Sequence, residues 1–442
     1  MSRGWSSKDE PVKPGARLRA AAEVLEAIET RHRPAAEALG DWGKSHRFAG
    51  SGDRAAIGNL VYDVLRRRNS LAHRMGADTP RALALAAART AFGISVEEIV
   101  AAADGSAHAF EPLSDEERAA LGREPDAGLP PHIAGDFPEW LTPSLTRSFG
   151  DRAAAEGEAL ARRAPVDLRV NTLKAEREKV LKALDRYGAV AAAMSPIGIR
   201  IAAPSGPGRT PNVETETGHG KGWFEIQDEG SQIAALMAGA GPRNQVLDLC
   251  AGSGGKSLAL AAAMQNTGQI YAYDDSRARL RPIFERLKRA GARNVQVLDA
   301  GDEAALAAMG PRFDLVLVDA PCTGSGVWRR RPDAKWRVRP ANLAERQAEQ
   351  RTVLELAAKS VKPGGRIVYV TCSVLPEENV DTVAGFVAAQ PQFAVLPFAE
   401  AWAAAFSSPP PASADGRTDS LLLTPACHGT DGFFIATLRR EA

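Results

Sequence analysis

The chain has 442 residues, 44% of them hydrophobic, and a net charge of only +1. That length suits two or three domains, each able to bury a core. None of the four cysteines forms a CxxC pair and no apolar run is long enough to span a membrane, so a zinc cluster, a thioredoxin-like site and a membrane protein are excluded. A cytoplasmic protein with reduced thiols is expected, acting as a monomer without a metal.

The charge is uneven. Met1 to Gly76 carries 14 Lys and Arg against 9 Asp and Glu, a net of +5. Trp328 to Pro340 carries six basic residues and one acidic, again +5. Such local patches point to a polyanionic partner.

In chain order, Met1 to Gly15 reads as a loose end. Ala16 to Arg31, Ala55 to Arg68 and Thr79 to Phe92 carry apolar residues at helical spacing, which predicts an all-helical first domain. Asp104 to Pro131 is acidic and contains Pro and Gly, and reads as an irregular crossing. Helices are expected at Glu139–Phe149 and Asp151–Arg163. A small α+β unit should follow: a strand at Val166–Val170, a helix at Lys174–Tyr187, and short strands at Gly188–Ala193, Ile197–Ile201 and Trp223–Ile226. Pro204 to Gly222 is a loop by composition, and Asp228 can cap the helix that follows.

From Gln245 onward strands and helices alternate. Strands are expected at Gln245–Leu249, Gln269–Asp274, Asn294–Asp299, Phe313–Asp319 and Arg366–Thr371. Helices are expected at Ser257–Met264, Arg277–Ala290, Glu303–Met309, Asn342–Val361 and Glu378–Gln390. This alternation predicts a doubly wound, Rossmann-like parallel sheet. A last antiparallel strand, Gly432–Arg439, is expected at or near its edge. Ala403 to Ser420, with Pro409, Pro410 and Pro411, reads as a mobile insertion.

The centre of this pattern is QVLDLCAGSGGK, residues 245–256: a strand, a Gly-rich turn and a helix start. Such a turn gathers backbone N–H groups and the positive end of a helix dipole. A P-loop would need glycine at Cys250, and a dinucleotide fingerprint would need glycine at Ser257. S-adenosylmethionine fits better. Its ribose diol wants an acid at the end of the second strand, where Asp274 stands. Its adenine amino group wants an acceptor after the third, where Asp299 stands.

Two further strands end in thiols, at Asp319-Ala320-Pro321-Cys322 and at Thr371-Cys372. In a doubly wound sheet both would lie at the same carboxyl edge. Carbon 5 of cytosine is too weak a nucleophile to be methylated unaided, but a thiolate added to carbon 6 makes it enamine-like. A free thiol, with a pKa of about 8.5, is only slightly ionised near pH 7, so such a site must favour the thiolate. Asp319 could hold N3 and the exocyclic amine of the base.

Several stretches now resemble known proteins. RFAGSGDR at 47–54, followed by GNLVYDVLRRR, resembles the NusB-like RNA-binding domain of bacterial RNA methyltransferases. QVLDLCAGSGGK, VLVDAPCTGSGVWRRRPDAKW, VYVTCSVLPEENV and HGTDGFFIATLRR are similar to motifs of the Sun/Fmu family of RNA (cytosine-5)-methyltransferases. The resemblance implies a class I methyltransferase sheet at 241–442, an N-terminal NusB-like domain at 1–135, and linker helices with a small RNA-binding subdomain at 136–240. It implies that Cys372 is the nucleophile and that Cys322 assists proton removal and product release. It also implies cofactor contacts from Cys250, Ala251, Gly252, Ser253, Gly254, Gly255, Lys256, Asp274, Asp299 and Asp319. RVNTLK at 169–174 matches the family's small subdomain, implying RNA contacts from Arg169, Asn171 and Lys174. Gly252-Ser253 departs from the family's usual Ala-Pro. The basic run with Arg329, Arg330, Arg331 and Lys335, interleaved with Trp328 and Trp336, suits phosphate contact and base stacking.

The expected function is therefore methylation of cytosine carbon 5 in RNA, 16S ribosomal RNA above all because of the NusB-like start. Rival readings are a tRNA cytosine-5 methyltransferase, a P-loop NTPase, an amino-methyltransferase, and a non-catalytic RNA-binding or ribosome-assembly factor.

Overall fold

A computed structural model describes residues 13–124 and 126–442, so most of the expected loose end lies outside the described residues. The first unit is a helical bundle: Pro14–Arg31, Ala35–Ser45, Ser51–Arg66, Arg68–Met75, Pro80–Thr90, Val96–Ala102 and Asp115–Gly122. The helix Pro80–Thr90 runs through its centre, with Leu83 to Ala88 fully buried. Its alanines let Leu18, Val24 and Leu25 of the first helix and Ile57, Leu60 and Val64 of the third approach closely. The expected irregular crossing is corrected. Ser114 and Glu117 form a reciprocal capping box that starts the helix Asp115–Gly122, and Leu121 seals the bundle.

The small unit is a four-stranded antiparallel sheet: β1 (Val166–Val170), β2 (Val190–Ala191), β3 (Gly198–Ile201) and β4 (Phe224–Ile226), in the order β2-β3-β1-β4. Val180 and Leu184 of the helix region cover Leu168, Ile199 and Phe224.

The large sheet follows the doubly wound expectation. Its strands are β5 (Gln245–Asp248), β6 (Gln269–Ala272), β7 (Val295–Val297), β8 (Phe313–Asp319), β9 (Val361–Thr371), β10 (Phe393–Leu396), β11 (Leu421–Leu423) and β12 (Phe433–Arg440). The order is β10-β12-β9-β8-β5-β6-β7, with β11 also on β12. Strands β5 to β9 pair in parallel, and the β12 pairings are antiparallel. β12 is not the edge: Phe393–Leu396 adds beyond it, covering its outer side. The expected helix Arg277–Ala290 breaks into Arg277–Leu280 and Ile283–Ala290, because Pro282 has no N–H to donate. The stretch expected to be a mobile insertion instead opens with the end of a helix, Phe398–Ala405, and its Phe406 and Ala414 are buried in the cores on the large sheet. Phe137, Leu141, Leu145 and Phe149 share a core with Val316, Val318 and Tyr369 of β8 and β9, so the helices before β1 pack on the large sheet. Among the described residues no helix is long and apolar enough to cross a membrane, and no metal-binding cluster occurs.

Candidate active site

β8 and β9 are parallel neighbours, with Asp319 level with Val370, and the Ala320 N–H donates to the Val370 carbonyl at 2.8 Å. Both chains then turn outward over the carboxyl edge. The turns bring the Cys322 and Cys372 sulfurs to 3.3 Å, as free thiols. The turns are held rigidly. Ser325 Oγ lies 2.9 Å from Ser373 Oγ and accepts from the Val374 N–H. The Gly326 N–H donates to the Cys372 carbonyl at 2.9 Å. A Cβ on Gly326 would sit 2.2 Å from the Gly432 carbonyl oxygen, so only glycine fits where β12 begins.

Glu378 was not singled out by sequence reasoning. It is fully buried and accepts from the Thr323 N–H at 2.8 Å, the Thr323 hydroxyl at 2.5 Å and Gln350 Nε2 at 3.1 Å. Its signal lay in its place, six residues after Cys372 in one cysteine-bearing motif, with Thr323 next to Cys322 in the other. Burial raises its carboxyl pKa. The hydrogen bond to Cys372 and then burial push the Cys322 thiol well above its ordinary value. Asp319 Oδ2 is 2.6 Å from Lys256 Nζ, an ion pair at the mouth of the same edge. Lys256 is buried beside the Phe433 ring.

The Gly-rich turn lies at the tips of β5 and β6. Gly254 has φ of +82°, and a Cβ there would meet Ile283 at 2.4 Å. Gly252 has φ of +51° and faces open space. The Ala251 N–H is tied to the Tyr273 carbonyl at 2.8 Å. Burial first, then nearby carboxylates, raise the Cys250 thiol. Asp274 Oδ2 accepts from the Gly252 N–H at 2.9 Å, and its Oδ1 accepts from the Ser276 N–H at 2.9 Å. Its carboxylate thus fastens the turn to the second strand end. Asp299 is exposed beyond β7. At Ser253, Arg286 donates to the hydroxyl at 2.7 Å and to the carbonyl at 2.9 Å, and Glu225 holds Arg286 at 3.0 Å. The departure at Gly252-Ser253 is therefore braced by side chains.

Asp248 is a second residue that sequence reasoning passed over. It is fully buried, its Oδ2 accepts from Ser257 Oγ at 2.6 Å, and its Oδ1 has no partner. Burial lifts its pKa to about 7. An unpartnered buried acceptor beside an open Gly-rich turn, with acids at the next strand ends, fits a small ligand carrying an amino group. The folded protein holds this proton far more tightly than the unfolded chain, so this group's contribution to stability falls as pH rises from about 4 to about 7. Asp248→Asn should flatten that part of the pH profile. Melting temperatures across the range check it, and an unchanged slope would mean another group carries the effect.

Four of the expected RNA contacts, Arg169, Asn171, Arg329 and Lys335, are buried in contacts within the protein. Arg169 is 3% exposed and donates to Gln227 and to the Gly255 carbonyl. Asn171 Nδ2 donates to the Gly222 and Ala290 carbonyls at 2.9 and 2.8 Å. Lys174 Nζ donates to the Arg289 carbonyl at 2.6 Å. RVNTLK thus stitches the small sheet to the large one. Arg329 and Arg330 bind Asp431 and Asp228. Lys335 is 1% exposed and donates to the Arg66 carbonyl at 2.6 Å, where burial lowers its pKa to about 7. Trp328 is buried, and Trp336 donates to the Leu65 carbonyl. The run after Gly326 fastens the helical bundle to the carboxyl edge of the large sheet. Only Arg331, Arg337 and Arg339 remain exposed. Replacing these three should flatten the dependence of log K for RNA on log salt by about two units, at roughly 0.7 per phosphate. An unchanged slope would remove all phosphate contact from this run.

Residues 236–439 match a family described as 16S rRNA methyltransferase RsmB/F. Residues 137–206 match the ferredoxin-like domain of RsmF/B-like methyltransferases. The chain is 30% identical over 336 residues to the probable ribosomal RNA small subunit methyltransferase B of Synechocystis sp., spanning 74% of this chain and 70% of that relative. It belongs to the RsmB/F family of 16S rRNA methyltransferases. Among solved structures, PH0851 covers 98% of this chain and all of its own at a TM-score of 0.73 and 26% identity. A methyltransferase homolog protein from Pyrococcus horikoshii covers 70% of this chain and 97% of its own, at 0.58 and 27%. The family match to residues 236–439 spans both cysteine turns, the Gly-rich turn and β12.

Proposed function

We propose that this RNA methyltransferase moves a methyl group from S-adenosylmethionine to carbon 5 of a cytosine in 16S ribosomal RNA. The observation that carries the reading is the pair of thiols 3.3 Å apart at the tips of β8 and β9, beside the Asp319–Lys256 ion pair.

The cofactor would rest on residues 250–256, with Asp274 toward the ribose and Asp299 toward the adenine, and would supply an electrophilic methyl group. The protein's own groups do the rest. The Cys372 sulfur adds to carbon 6, which turns carbon 5 into a nucleophile. Cys322, whose raised pKa keeps it protonated at rest, lies 3.3 Å from the Cys372 sulfur and can donate a hydrogen bond to it. With Cys372 bound to carbon 6, Cys322 passes its own proton to solvent, and the strongly basic thiolate left behind takes the carbon 5 proton after methylation. Loss of that proton restores the carbon 5–carbon 6 double bond and releases Cys372. Asp319 accepts from the exocyclic amine, and Lys256 balances its charge. Glu378 and Gln350 act only through the Cys322 turn.

Bisulfite sequencing of total RNA from cells with and without the protein tests the reading. One 16S cytosine should lose its protection. Loss at a tRNA cytosine would move the substrate, and an unchanged map would overturn the reaction.

A further inference from the structure

We propose that Trp42, His46 and Phe48 form a stacking platform that captures unpaired bases of the substrate RNA on the helical domain. The proposal rests on the RNA methyltransferase reading, but it concerns a surface that the chemistry does not use.

Phe48 is 68% exposed, the highest value among the exposed large hydrophobic residues described. A side chain of that size gains nothing in water, and its neighbours suggest its partner. The Trp42 and His46 rings stack at 4.3 Å with only 9° between their planes. The Phe48 ring stands edge-on to His46 at 5.7 Å. The ladder is fixed before any ligand arrives: His46 Nδ1 lies 2.9 Å from the Trp42 carbonyl oxygen, and Trp42 Nε1 donates to Glu23. The three rings line a cleft of about 1430 Å³, together with Leu18, Ile99 and Arg47.

An exposed cation stands within the ladder itself. Arg47, between His46 and Phe48, forms no ion pair among the described residues, and Arg209 reaches the start of the next helix through Ser51. Of the acids that line the cleft, Glu23 accepts from Trp42 and lies 3.5 Å from Arg19, Glu98 is in the capping box of Ser95, and Asp104 accepts from the Ser106 N–H, so each is held by a fixed partner. Exposed rings beside cations bind single strands because every base has a π-face and the backbone meets the charge. A protein partner would leave the bare cation without a purpose.

The test uses the full-length protein and a short oligocytidine, the abasic strand of the same length, and the oligocytidine annealed to its complement. Phe48→Ala should bind the oligocytidine roughly 5- to 150-fold more weakly, the loss of one stacked base. Its affinity for the abasic strand and the duplex should not change, and Phe48→Tyr should restore binding. Arg47→Ala should weaken oligocytidine and abasic strand alike. The exposed position lets these variants fold, which an unchanged melting temperature verifies. Unchanged oligocytidine binding by Phe48→Ala, or an equal loss on the abasic strand, overturns the platform. So does normal binding to naked RNA with methylation reduced only on the assembled small subunit, which would assign the surface to a protein. A wild-type protein that binds but leaves the 16S map unchanged would sink the function and keep the platform.

Discussion

Cys372→Ala should be inactive and should form no covalent complex with RNA, whereas Cys322→Ala should accumulate one. Without Cys372 no carbon–sulfur bond can form. Without Cys322 that bond still forms and carbon 5 still takes the methyl group. What is lost is the base for the carbon 5 proton, and Cys372 cannot leave until that proton does. Given substrate RNA and cofactor, Cys322→Ala should therefore give a protein–RNA band that survives denaturation, absent from Cys372→Ala and from the double variant. The two sulfurs are 3.3 Å apart, so geometry alone does not choose between them. The asymmetry lies in their surroundings. Cys322 sits on the turn held by Glu378 and Gln350, and the hydrogen bond to Cys372 and burial push its thiol well above its ordinary pKa. A band that persists in Cys372→Ala and vanishes in Cys322→Ala would exchange the roles. No band in any variant would remove the adduct and leave the fold and family standing.

The large sheet was legible because hydrophobic runs and turn residues repeat at strand–helix spacing, and β8 occupies the expected Phe313–Asp319. The cysteine pair was legible for the same reason: two strand ends that must be neighbours. What could not be read was which polar residues spend their hydrogen bonds inside. Arg329, Arg330 and Lys335 look in sequence like a stripe facing water, but their partners lie about 100 and 270 positions away, at Asp431, Asp228 and Arg66. Spacing along a chain carries no trace of such pairs. Asp248 and Glu378 failed differently. Each lies inside a quoted motif, but only its burial marks it as an acid whose carboxyl is pushed up from its ordinary value. The capping box at Ser114 was readable from Ser-x-x-Glu, and composition masked it.

Asp431→Ala should cost about 3–5 kcal/mol of stability, the usual penalty for removing one partner from a buried ion pair. Asp431 is 1% exposed and accepts from Nε of both Arg329 and Arg330. Asp228 completes the cluster, accepting from Arg330 Nη2 at 2.9 Å and from the Asp431 N–H at 3.0 Å. It also caps the helix Glu229–Met237 through the Gly230 N–H at 2.8 Å. Two arginines thus face two carboxylates where β12, the run after Gly326 and that helix meet. Removing one carboxylate leaves two guanidinium groups sharing the other, away from water. The loss should appear as a lower urea midpoint with an unchanged slope, since the same surface is exposed on unfolding. Asp431→Asn keeps the shape and loses the charge, so it should fall close to Asp431→Ala. If Asn restores most of the stability, hydrogen bonding rather than charge holds the joint. A cost below about 1 kcal/mol for Asp431→Ala would place the cluster among solvated surface pairs and return Arg330 to the candidates for RNA contact.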